Sequence, residues 1–202
     1  MIPLGEPFAV DPREVAHALS HLCRFTGHAR LFYSVAHHTY IMARRIPAML
    51  PEQRLAALLH DAAEAYIGDV ATPLKEVLPD YRRIEAGVEA AVENTYDISF
   101  ADHAAWLKPL DRVFCEVERS ALLPPTPEWP MVATTVWTDL PVVGKVKFQF
   151  PAVLDPPDVI RYRWLNLHDK LCLITGRDHL VARVKASPEI SAYLRAQRQQ
   201  RS

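Results

Sequence analysis

The residues best suited to chemistry lie in one short run, Leu58-Leu59-His60-Asp61-Ala62-Ala63-Glu64-Ala65-Tyr66-Ile67-Gly68-Asp69. A histidine and an aspartate stand side by side in an alanine-rich, apolar stretch that otherwise reads as a buried helix. Burying charge there is costly without compensation. A divalent metal is the simplest compensation, because imidazole and carboxylate together suit the harder first-row divalent ions. Glu64 follows His60 by one helical turn, so both can look into the same space. Gly68 then breaks the helix, and Asp69 follows in the loop. A divalent ion held here would lower the pKa of a bound water and polarise a phosphoryl oxygen. A carboxylate one turn away is placed to hold or deprotonate that water.

The elements that must position this run follow from local signals. Asp11-Pro12-Arg13-Glu14 starts a helix expected over 11–22: Asp11 caps, Pro12 suits the first position and Glu14 reaches back. Residues 23–30, with Arg24, His28 and Arg30, show no helical period and read as a loop on the site side. Ser34 caps a helix in which Val35, His38, Ile41 and Met42 share a face, so His38 points to the core and His37 elsewhere. Pro51-Glu52 opens the helix expected to carry His60 and Asp61. Further helices are expected from Pro79 to about Tyr96 and from about Phe100 to Leu123, the latter bent or split at Pro109. Asp111 lies at the edge of that helix's apolar face. Beyond Pro124-Pro125-Thr126-Pro127 the texture changes. Val132, Thr134 and Val136 alternate, as do Val146, Phe148 and Phe150, which argues for strands in a hairpin. Helices are expected again over 159–175 and from Ser187-Pro188 onward.

His38, His60, Asp61 and Asp111 form the candidate metal ligand set. They come from three helices, and facing helices of a bundle commonly build such sites. Two imidazoles and two carboxylates leave coordination positions for water and a substrate oxygen, which separates a catalytic ion from a structural one. Taken alone, His38 reads as a hydrogen-bonded core histidine and Asp111 as a solvated helix residue; spacing by itself ties neither to His60. A second dipeptide, His168-Asp169, lacks the following Glu and Gly-Asp and is set aside.

The order His38, then His60-Asp61, then Asp111 resembles the H…HD…D signature of the HD-domain metal-dependent phosphohydrolases. The likeness extends to Cys23-Arg24-Phe25-Thr26-Gly27-His28, to Phe32-Tyr33-Ser34-Val35-Ala36-His37-His38, to His60 through Asp69 and to Thr72-Pro73-Leu74-Lys75. These runs are similar to a bacterial and phage branch that includes 5'-deoxynucleotidases and phage deoxynucleoside triphosphohydrolases. The resemblance covers roughly residues 11–123. One departure is His37, where the branch implies an acid. The resemblance implies an all-α HD-domain helical bundle over 1–123, with 124–202 as a Pro-rich, hairpin-containing elaboration packed on it. It implies one divalent ion (Mn, Co, Zn or Mg), with Glu64 or Asp69 as catalytic base. Arg24 and Lys75, and more weakly His28 and Arg30, would meet the phosphate, since phosphoryl transfer needs cations where negative charge gathers. Phe25, Phe32 or Tyr33 could stack on a base, although aromatics are more often core.

The whole chain sets outer limits. Its 202 residues carry a net charge of −1, so nothing in the overall charge calls for duplex nucleic acid as partner. Cys23, Cys115 and Cys172 are odd in number and form no CxxC pair, which disfavours a zinc knuckle or a disulfide framework and fits a reducing cytoplasm. The start, Met1 to Glu6, lacks the basic and apolar regions of a signal peptide, and no apolar run is long enough to span a membrane. The expected substrate is a small nucleotide: a deoxynucleoside monophosphate or triphosphate, with a cyclic or alarmone nucleotide as the alternative. A metal-stabilised module without catalysis is the competing class. The Val146/Phe148/Phe150 face needs cover from the bundle or from a second subunit, and a homo-oligomer is the expected assembly.

Overall fold

The computed structural model describes residues 8–125, 135–151 and 153–199. Among them the chain is mainly helical, with one two-stranded antiparallel sheet. Helix α1 (Pro12–His21) begins where expected, the Asp11 carboxylate accepting the Arg13 N–H at 2.8 Å. Val15, Ala16 and Leu19 form its buried stripe.

Helix α2 (Val35–Arg45) is capped by Ser34, and here one expectation is corrected. His37 does not point away from the core: it is 2% exposed. Its Nδ1 accepts the Ser34 N–H, closing a capping box that an acid would ordinarily close. Its Nε2 donates to the Asp155 carbonyl at 3.0 Å. The ring therefore ties the start of α2 to the segment after the hairpin.

Helix α3 (Pro51–Leu59) ends one residue before His60, earlier than expected. Ala62 N–H donates to the Leu59 carbonyl and Glu64 N–H to the Asp61 carbonyl, so the chain tightens to i→i−3 bonds before the short α4 (Glu64–Ile67). Gly68, at φ +83°, ends α4 in a conformation that favours glycine. Helices α5 (Thr72–Glu76) and α6 (Pro79–Tyr96) follow. Helix α7 (Phe100–Leu122) runs through Pro109 without being split. Pro109 and Ala105, whose carbonyl loses its amide partner, are both exposed, so water can replace that bond.

Strands β1 (Thr135–Leu140) and β2 (Gly144–Gln149) pair antiparallel, with Val136 opposite Phe148 and Leu140 opposite Gly144. The expected alternation at Val132 and Thr134 lies outside the described residues, as does Met1 to Glu6. Val146 and Phe148 are buried and Phe150 is half-buried. Their cover is the bundle: Phe148 stacks on Phe114 of α7 with ring centroids 4.0 Å apart, and Phe150 lies 5.5 Å from the Tyr33 ring.

Helix α8 (Pro157–Ile174) packs against α1, α2 and α3, and α9 (Pro188–Gln199) closes the described chain. Trp164 of α8 is fully buried and its Nε1 donates to Thr39 at 3.1 Å. The 124–202 part is thus more than a layer on a finished core, since Leu140, Phe148, Trp164 and Leu171 share one hydrophobic cluster with Leu19, Leu58 and Phe114. The second His–Asp pair is structural. His168 is buried between Trp164 and the Tyr96 hydroxyl, while Asp169 accepts the Ala182 and Arg183 amides. Among the described residues no helix is long and apolar enough to cross a membrane.

Because the hairpin face is part of the core, Phe148→Ala should lower the unfolding free energy by about 3–5 kcal/mol, the usual cost of truncating a buried aromatic. Urea denaturation followed by tryptophan fluorescence measures this; a loss under about 1 kcal/mol would mean that the hairpin is peripheral.

Candidate metal centre

Three segments converge beneath α7. His38 comes from α2, His60 from the residue after α3, and Asp111 from the middle of α7. Their ligand atoms all lie within 4.8 Å of one another. His38 Nε2 is 3.0 Å from Asp111 Oδ1, and His60 Nε2 is 3.9 Å from the same oxygen. Asp61 stands beside them, its Oδ1 at 3.2 Å from His60 Nε2 and its Oδ2 at 3.8 Å from His38 Nε2.

The tautomers are set from behind. His60 Nδ1–H donates to the Ala57 carbonyl at 3.0 Å, in the last turn of the preceding α3. His38 Nδ1 lies 2.8 Å from Glu118 Oε1 and 3.1 Å from Oε2. With both Nδ1 positions engaged, both Nε2 atoms face the same space, where carboxylates are their polar neighbours: Asp111 Oδ1 at 3.0 Å from His38 and Asp61 Oδ1 at 3.2 Å from His60. Two such imidazoles aimed at a carboxylate form a donor set that can hold a divalent ion.

Glu118 is the residue that sequence reasoning missed. It is fully buried, yet it accepts from His38 and from the Tyr33 hydroxyl at 2.6 Å and faces Arg24 Nε at 3.4 Å. It lies two turns past Asp111 on the same face of α7. A lone acid in the stripe Phe114, Val117, Ala121 was the available signal. A carboxylate behind a ligating imidazole fixes the ring and raises its basicity.

The charge balance favours a cation. Burial lowers the His38 imidazole pKa, and Arg24 does too, but the Glu118 and Asp111 carboxylates outweigh both and push it up to about 10. Burial would raise the Asp111 carboxyl, but His38, His60 and Arg24 hold it well below the usual range. Burial, then Asp61 and Asp69, push the Glu64 carboxyl up to about 10; burial also raises Asp69. Glu64 is 8% exposed, and its Oε2 has no hydrogen-bond partner.

A cleft of about 280 Å³ brings together Asp61, Glu64, Asp69, Lys75 and Asp111, with Arg24 and Phe25 on its wall. Arg24 is no surface cation: it is 8% exposed, with Nη1 3.5 Å from Asp61 Oδ2. Lys75 Nζ lies 2.5 Å from Glu85 and 3.9 Å from Glu64, and Glu85 is another partner not foreseen. The other two expected phosphate contacts are not brought in. His28 is exposed and absent from the lining. Arg30 Nε donates to the Ala121 carbonyl, about 15 Å along α7 from Asp111 at 1.5 Å per residue. Tyr33 is fully buried on Glu118 and offers no face to a base. On the other side of His60, Asp61 and Asp111 a second cleft of about 440 Å³ runs between α6 and α7, lined by Glu89, Glu93, Phe100, Leu107 and Lys108.

No family model matches the chain. Over 85 residues it is 42% identical to the uncharacterized protein YfdR of Escherichia coli, a stretch that is 42% of this chain and 46% of that protein. Over 93 residues it is 36% identical to an uncharacterized protein of Rhodobacter capsulatus, covering 43% of this chain and 47% of the relative. The chain spans about half the length of the curated relatives it matches. Neither name carries an activity, so the likeness assigns no reaction.

Two outcomes follow from this geometry. Glu118→Gln keeps the shape but loses the charge behind His38, and should weaken divalent-ion affinity about 10–100-fold by calorimetric titration. In metal-free buffer the chain should lose stability as pH rises. Below the ordinary histidine value of 6.5 His38 is protonated folded and unfolded; from there to about 10 only the folded chain keeps the proton, so its contribution drains away. Glu64, raised from 4.5 to about 10, acts in the same direction. Melting curves across that range should fall with pH, and fall less steeply in His38→Gln; a rising curve contradicts the assignment.

Proposed function

We propose that the chain is a metal-dependent phosphohydrolase acting on deoxynucleotides, in the manner of the HD-domain enzymes it resembles. One observation carries the reading: two imidazole Nε2 atoms converge with the Asp111 carboxylate, all within 4.8 Å of one another, beside a cleft whose wall is Glu64, Asp69 and Lys75. His38, His60 and Asp111, with Asp61 as fourth ligand, would hold the ion. That ion, when bound, supplies an acidified water and a Lewis acid for the phosphoryl oxygen.

The chain's own groups do the rest. Glu64 is placed to orient the attacking water and take its proton. Burial first, and then the neighbouring acids, raise the Glu64 pKa; a cation beside Asp61 would oppose both by its charge and favour the carboxylate form that can accept a proton. Asp69, held in the loop by Gly68, is the second candidate for that proton or for orienting the leaving oxygen. Lys75 and Arg24 stabilise the charge that gathers on the phosphoryl oxygens.

The same geometry favours a monophosphate over a triphosphate. Arg24 already faces Asp61 and Glu118, and Lys75 already faces Glu85 and Glu64. A triphosphate would need cations that these acids have already neutralised.

The test is phosphate release from deoxynucleoside monophosphates, deoxynucleoside triphosphates and cyclic nucleotides with Mn, Co or Zn. Monophosphates should turn over. Glu64→Gln should cut kcat by about 10²–10⁴-fold, the range of a positioned acid or base, with the ion retained. Turnover of cyclic nucleotides alone would favour a phosphodiesterase. If His60→Ala left turnover intact and lowered only the melting temperature, the ion would be structural and the reading would fall.

A further inference from the structure

The helices that carry the metal ligands carry a second concentration of charge at their other ends. His38 on α2 is followed by Arg44 and Arg45, and His60 is preceded on α3 by Arg54. Six or seven residues separate each cation from the ligand on its helix, or from the one just past its end for α3, about 9–10 Å along the axis. Two adjoining concavities, of about 250 Å³ and 460 Å³, open here and share Tyr40, Arg44, Arg163 and Gln197. Their walls hold Arg44, Arg45, Arg54, Arg163, Lys170 and Arg198 against a single acid, Asp155.

That acid is already engaged. Asp155 Oδ2 lies 2.8 Å from Arg163 Nε, and Gln197 accepts from Arg163 Nη2 at 2.7 Å. The other guanidiniums are oriented by neutral acceptors. Arg44 donates to the Tyr40 hydroxyl at 2.9 Å and lies over its ring. Arg54 Nε donates to the Ala43 carbonyl at 3.1 Å, and Arg45 reaches the Gln149 carbonyl at 3.4 Å. A neutral acceptor fixes a guanidinium without cancelling its charge. Among the described residues Arg44, Arg45, Arg54, Lys170 and Arg198 face no carboxylate. Burial, and after it the neighbouring Arg44, hold both Arg45 and Arg54 below the usual range.

Forked guanidiniums at fixed angles match the oxygens of phosphate groups, and several in one pair of hollows suit several phosphates. We propose that this face is a binding site for a small anion carrying more than one phosphate group, either a nucleotide's polyphosphate or its inorganic counterpart, separate from the metal centre. The proposal does not depend on the reaction assigned to that centre. It gives a triphosphate the cations that the metal-side cleft lacks.

The experiment is calorimetric titration of the full chain with inorganic triphosphate, and in parallel with a deoxynucleoside triphosphate, in metal-free buffer at low salt. One site should be seen, weakening as salt is added. His60→Ala should bind within about twofold of the unaltered chain. The double variant Arg44→Gln/Arg198→Gln, both exposed positions, should bind at least about tenfold more weakly, as expected from losing charged hydrogen bonds. It should keep its melting temperature and its divalent-ion affinity. Equal affinity for the two ligands supports a site that reads phosphate alone; tighter nucleotide binding supports one that also touches the nucleoside, with Tyr162 adjacent. No binding at millimolar ligand overturns the proposal, as does binding that His60→Ala abolishes and the double variant leaves unchanged. Loss of phosphohydrolase activity in His60→Ala bears only on the metal centre.

Discussion

A fully buried carboxylate with no countercharge would be among the costliest groups in the molecule, and Glu118 sets the terms on which the rest is arranged. It is placed by the apolar stripe of α7, and it is tolerated because three donors from elsewhere in the chain meet it. The Tyr33 hydroxyl, His38 Nδ1 and the Arg24 guanidinium all face its oxygens. Satisfying Glu118 therefore fixes the orientation of the His38 ring, the position of the 23–34 segment and the register of α2 against α7. The direction of His38 Nε2 is the outcome of that arrangement: once Nδ1 is committed to Glu118 behind, Nε2 faces His60, Asp61 and Asp111.

The same logic orders charge across the centre. Behind it lies Glu118, in front of it Asp61, Glu64, Asp69 and Asp111, and between them Arg24 spans Asp61 and Glu118. Acids outnumber bases around the cleft, and like charges at close range raise the energy of each. A divalent ion would relieve that repulsion at its source. Lys75, held against Glu85, lines the cleft together with the buried Arg24. The cations on the cleft wall already face acids, Arg24 facing Asp61 and Glu118, and Lys75 facing Glu85 and Glu64.

The C-terminal part supplies support that the first 123 residues do not have. Trp164 donates to Thr39 one residue from His38, the Asp155 carbonyl accepts from His37, and Phe148 stacks on Phe114, whose own ring meets the His38 ring edge-on. Helix α2 is pinned on the sides away from the His38–His60–Asp111 cluster by residues more than 100 positions distant. The hairpin's apolar face is spent on this internal contact, so it presents no demand for a second subunit.

Local chemistry made much of this legible. Caps at Asp11 and Ser34, prolines at helix starts, and the period of the apolar residues placed the helices to within a residue or two, because these signals act over one or two turns of chain. His60, Asp61, Glu64 and Asp69 stood out because they are neighbours in sequence, and Gly68 marked the turn that aims Asp69. The partners of those residues were not legible for the opposite reason. His38 and Glu118 are 80 positions apart, His37 and the Asp155 carbonyl 118. Arg30 shares the 23–30 segment with Arg24 and was the weaker expectation; its guanidinium turned to a carbonyl at the end of α7, that of Arg24 to Asp61 and Glu118. Sequence determined which short segments would be helical and which of them carried ionisable groups on an apolar face. Only the tertiary structure decided which charges meet, because a buried charge takes its place from the partner that compensates it, and that partner is chosen by packing, not by spacing.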